Sequence, residues 1–113
     1  MFRKVIKDMR AAVVKSEFLT YSELNVRLHA GIRDIAAHET AARLLRQLRD
    51  QTVRHQFSLS MVPGRPAVSL PQHEAIVAAI AARKPEDAQQ AMRVHLQSVI
   101  EALRALSGLV TRR

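Results

Sequence analysis

The chain is short, at 113 residues, rich in Ala, Leu, Val and Ile, poor in aromatics (4%) and basic, with a net charge of +8 and a pI near 11.3. That length suits a single domain with one modest core, and the absence of cysteine excludes a disulfide framework and a thiolate metal site. No apolar run approaches the roughly 20 residues that cross a bilayer, and Asp8 and Arg10 interrupt the apolar pattern that a secretory leader requires, so a soluble, cytoplasmic protein is expected.

Four or five helices follow from apolar spacing near 3.6 residues. The first covers about residues 2–16, with Phe2, Val5, Ile6, Met9, Ala12 and Val13 in one stripe. The second is expected after Thr20, where "TYSE" fits a capping box between Thr20 and Glu23, and runs to about Ala37 with Leu24, Leu28, Ile32 and Ile35 on one face. The third spans about 38–60, with Ala41, Leu44, Leu45, Leu48 and Phe57 as its apolar positions. "MVPGRPAVSLP", residues 61–71, reads as a loop because prolines flank Gly64 and a third follows. Ser69 is then expected to cap a fourth helix with Gln72 as its partner and Pro71 in the first turn. That helix carries Ile76, Val77 and Ile80 and stops near Lys84, because Pro85 disfavours helix just before it. Pro85 opens the last helix, striped with Ala88, Met92, Leu96, Val99, Leu103 and Leu106, and Gly108 marks its expected end. No strand-type alternation is present. The fold expected is all-α, an antiparallel bundle of about five helices.

Three of the five histidines fall on core faces. On helix two Asn25, Leu28, His29 and Ile32 share a side; on helix four His73, Ile76, Val77 and Ile80 do; on helix five Ala88, Met92, His95 and Val99 do. His38 lies at a helix junction and His55 beside Arg54, so neither need point inward. A buried imidazole must find a partner for its ring nitrogens, and a carbonyl or hydroxyl usually serves. Three imidazoles on three core faces also make a set of ligands for a divalent cation, with the Asn25 amide oxygen one turn from His29. Spacing leaves both readings open.

These residues carry a family resemblance. "ELNVRLHAGI", "SLPQHEAIVAAI" and "AQQAMRVHL" resemble, in order, the three signature stretches of the FCD domain, the effector-binding domain of FadR-type members of the GntR transcription-regulator superfamily. "KDMRAA" resembles the Met-containing helix that precedes them. The resemblance implies a FadR C-terminal-domain-like bundle over residues 1–113, with a divalent metal held by a carboxylate and three histidines and a small organic acid bound beside it. Carried over by position, the ligands are His29, His73 and His95, with Asn25 where the family usually has Asp. Zinc or nickel are the metals expected. Gln72 stands where an acidic residue is usual. The winged helix-turn-helix and opening bundle helix of family members are not visible, so the domain is expected to be truncated at its N-terminal side and not to read DNA by itself. A bundle short of one helix exposes an apolar strip, and a homodimer is the expected remedy.

Arginine suits an organic acid because its guanidinium grips a carboxylate with two parallel hydrogen bonds. Arg33, Arg54 and Arg65 are the candidates. The basic charge also raises nucleic-acid binding, but Lys and Arg are spread along the chain and stacking aromatics are scarce. None of the ten acidic residues falls on an inferred core face, which leaves no spare general base for hydrolytic metal chemistry. A sensor is therefore expected, not an enzyme. A small metal-dependent enzyme and a metal-free helical interaction module are the alternatives.

Overall fold

The structure, a computed structural model, describes residues 2–111. Among the described residues there are six α-helices and no strand: α1 (Phe2–Val14), α2 (Phe18–Ala36), α3 (Glu39–Gln47), α4 (Arg49–Ser60), α5 (Arg65–Ala81) and α6 (Pro85–Thr111). The all-α helical class holds, with one helix more than expected. The segment read as a single helix over 38–60 breaks at Leu48, whose backbone (φ −97°, ψ 7°) leaves helical geometry and divides α3 from α4. The chain divides into two compact units, Met1–Pro66 and Ala67–Arg113.

In the first unit α2 packs against α1 and against α4. Its core takes four of the six positions predicted for α1, Val5, Ile6, Met9 and Ala12, met by Tyr21, Leu24 and Leu28 of α2 and by Leu59 of α4, while Phe2 and Val13 are half-buried. The third predicted stripe does not enter this core. Leu44, Leu45, Leu48 and Phe57 are exposed, Leu48 and Phe57 to 52% and 46%. The cause is the break at Leu48: it resets the phase between α3 and α4, and α3 finds its main packing only on α4.

Helix ends were the least legible feature. Thr20 lies inside α2, which begins at Phe18 after Glu17 with no side-chain cap, so the capping box does not form. At the other end of α1, Ser16 takes a left-handed φ of 57°. The Glu17 N–H then bonds the Ala12 carbonyl at 2.8 Å and the Ser16 N–H bonds that of Val13 at 3.1 Å. This is a Schellman turn, which satisfies carbonyls that a helix end would otherwise leave bare. α5 ends the same way at Arg83 (φ 57°), with Lys84 bonding Ala79 and Arg83 bonding Ile80, both at 3.0 Å. Ala37 (φ 52°) ends α2 with one such bond, to Arg33 at 3.3 Å. None of the three is glycine, so no sequence signal marked them.

α5 begins four residues earlier than Ser69, and Ser69 lies buried within it. Pro66 falls in the first turn, where an N–H has no partner to lose. Pro71 lies inside the helix and removes the N–H that would reach the Ala67 carbonyl, yet α5 continues to Ala81. The core of the second unit includes Leu70, His73, Ile76 and Val77 from α5 and His95 from α6. Pro85 opens α6 as expected, with Glu86 and Asp87 complementing the positive end of the helix dipole. α6 runs through Gly108 to Thr111 and does not stop there.

Candidate functional site

In the first unit, Asn25 and His29 stand one turn apart on α2. Asn25 is 8% exposed, and its Oδ1 is buried with no hydrogen-bond partner among the described residues. A buried carbonyl oxygen left bare costs on the order of 1–3 kcal/mol. It is an acceptor in want of a proton or a cation. His29 is partly buried, and its pKa is lowered from 6.5 to about 4, first by burial and then by the positive charge of Arg33 one turn on. At neutral pH its imidazole is therefore uncharged and in the form that ligates metals.

In the second unit, His73 and His95 are 1% and 3% exposed. Their rings meet edge to face, with centroids 4.5 Å apart and planes at 61°. The His95 Nδ1 lies 2.7 Å from the Gln72 Oε1. Gln72, expected from the sequence to partner Ser69 at a helix cap, bonds a core histidine of another helix instead. The sequence signal for this contact is its place beside His73, where the resembled family usually has an acidic residue.

The other histidines behave as their positions suggested. His38 caps α3, its Nδ1 accepting from the Ala41 N–H at 3.1 Å, and His55 is exposed on α4. Of the three arginines, Arg54 is exposed on α4. Arg65 is partly buried; burial lowers its pKa and the nearby Tyr21 partly offsets that. Arg33 lines a groove of about 200 Å³ bounded by α2, α3 and α4, together with Arg46, Thr52 and Gln56 and the apolar Val26, Ala30, Leu45 and Val53. The groove carries two guanidiniums and no carboxylate.

The residues present fit a divalent cation. By donor type, His29, His73 and His95 each offer a ring nitrogen, and the Asn25 Oδ1 is a neutral oxygen donor. Imidazole nitrogen suits zinc, nickel or iron. No Asp or Glu is buried among the described residues. No helix among them is long and apolar enough to cross a membrane.

No curated protein and no solved structure matches this chain. A family does: residues 1–98 match the FCD domain, a span that holds Asn25, His29, Gln72, His73 and His95 and all of α1 to α5. With the signature histidines inside that span and the helical class it requires, the chain belongs to the FCD domain family.

Proposed function

We propose that this FCD domain is the effector-sensing part of a GntR-type transcription regulator of the FadR subfamily. It holds a divalent cation, zinc or nickel, through His29, His73 and His95 with Asn25 as a fourth ligand, and it binds a small organic acid. The carrying observation is the buried, unpartnered Oδ1 of Asn25 one turn from an imidazole kept neutral by burial. Four neutral donors leave the cation's charge uncompensated, so an anionic effector completes the site and the two bind with positive coupling. Arg33, whose groove carries two cations and no acid, is the favoured carboxylate partner; Arg54 and Arg65 are the others considered. The domain is read as a sensor because FCD membership supports a regulatory, effector-binding role.

Effector binding shifts helix packing, and in a regulator that also carries a winged helix-turn-helix that shift would pass to DNA in the cytoplasm. Two copies associate through the exposed apolar positions Leu44, Leu48 and Phe57. The deciding experiment is elemental analysis of purified protein, followed by calorimetric titration with small carboxylates in the presence and absence of zinc. Stoichiometric metal, and acid binding that depends on it, support the reading. Protein that takes up neither zinc nor nickel refutes it.

A further inference from the structure

A histidine can ligate a cation only through a nitrogen that carries no proton, so the tautomer of each ring decides whether a set of imidazoles works. For His95 the structure supplies the deciding contact. The Gln72 Oε1 lies 2.7 Å from His95 Nδ1, at the short end for an N–H donating to oxygen. A carbonyl oxygen can only accept, so the proton sits on Nδ1 and Nε2 keeps its lone pair. The contact links α5 to α6 inside the second unit, and His95 is buried there, so water does not compete for Nδ1. The His73 ring packed edge-on at 4.5 Å further restricts rotation of the His95 ring.

From this geometry we infer that Gln72 is the positioning residue that fixes His95 as the Nδ1–H tautomer and presents Nε2 as the ligand atom. The purpose of the lock rests on the metal reading above; the lock itself does not. An amide does this job without adding charge. It also brings a hazard that a carboxylate lacks: turned over, the amide would donate to Nδ1, drive the proton onto Nε2 and close the ligand atom off. Gln72→Glu removes that hazard because a carboxylate only accepts. Gln72→Leu removes the acceptor.

The test uses the full chain, labelled with ¹⁵N at histidine and stripped of metal, and reads the His95 tautomer from long-range proton–nitrogen spectra. The same proteins are then titrated with zinc. Wild type and Gln72→Glu are expected to show Nδ1–H at His95, and Gln72→Leu a shift toward Nε2–H. Zinc affinity should fall about 10- to 100-fold in Gln72→Leu, the range found for losing an outer hydrogen bond to a ligating histidine, and should hold or rise in Gln72→Glu. An Nε2–H tautomer in wild type overturns the inference, as does a Gln72→Leu protein with unchanged tautomer and affinity. Should Gln72→Leu fail to fold, Gln72→Glu decides: retained Nδ1–H with undiminished zinc binding supports the lock, and weakened zinc binding overturns it. Wild type that shows Nδ1–H yet takes up no zinc would leave the lock standing and sink the metal reading.

Discussion

The imidazole of His73 stands edge-on to that of His95, with centroids 4.5 Å apart and planes at 61°. Two polar rings buried against each other gain little as packing alone, since each could be replaced by Leu or Phe without a need for partners. As ligands they must act together. Changing either to Ala should abolish stoichiometric metal, as should changing His29, by elemental analysis after exhaustive dialysis. Metal retained at full stoichiometry in any of the three variants would remove that residue from the ligand set.

Asn25 allows a prediction with two opposite signs. In Asn25→Asp a carboxylate replaces a buried amide whose oxygen has no hydrogen-bond partner among the described residues. Without metal the buried charge should lower stability, by about 1–3 kcal/mol in urea melts. With zinc the same charge should tighten binding by at least about tenfold, roughly 1.4 kcal/mol. A variant that is destabilised without metal and gains no zinc affinity would show that the Asn25 oxygen does not face a cation.

The pH dependence of the metal-free protein follows from His29. Its folded pKa is about 4, lowered from 6.5 by burial and by Arg33. The unfolded chain thus takes up a proton at a higher pH than the native protein does. The contribution of this residue is fully present above pH 6.5 and is lost as pH falls toward 4. Melts of chelator-treated protein across that window should show falling stability, flattened in His29→Gln. An NMR titration placing His29 near 6.5 would contradict the burial argument.

Core and ridge leucines should respond differently to the same truncation. Leu28, on α2, is fully buried, and Leu28→Ala should cost about 2–5 kcal/mol. Leu44 is half exposed, and Leu44→Ala should change monomer stability by no more than about 0.5 kcal/mol. Because the proposed contact between copies uses Leu44, the same variant should lower stability in a way that depends on protein concentration, and a concentration-independent result would remove Leu44 from that contact.

The left-handed residues offer a gain of stability. Ser16, Ala37 and Arg83 hold φ between 52° and 57°, a region costly for any residue with a β-carbon. Ala37→Gly should stabilise by a few tenths to about 1 kcal/mol, the strain relieved exceeding the entropy glycine adds to the unfolded chain. A neutral or negative change in thermal melts would mean that α2 does not end on this turn in solution.

Much of this was legible in the sequence, and the failures have common causes. The stripe of α1 and the first half of that of α2 were readable because each has one apolar side and a neighbour to cover it, as Met9 and Leu28 show, whereas Ile35 at the end of α2 is 54% exposed. Core histidines were readable for the same reason: His29, His73 and His95 repeat with the helical period. The division at Leu48 was not, because leucine favours helix and no glycine or proline marks a stop there. The start of α5 was hidden by Pro66 and Pro71, two residues that usually mean loop and that a helix here absorbs. The Gln72–His95 bond joins residues 23 apart, a separation that no local pattern encodes.

α6 passes the family's matched span at residue 98 and continues as unbroken helix to Thr111. From His95 to Thr111 is about 24 Å at 1.5 Å per residue. A helix is stiff along its axis, so a tilt of α6 about His95 would carry to its far end with little loss. A tilt of about 5° would move Thr111 by about 2 Å over that length.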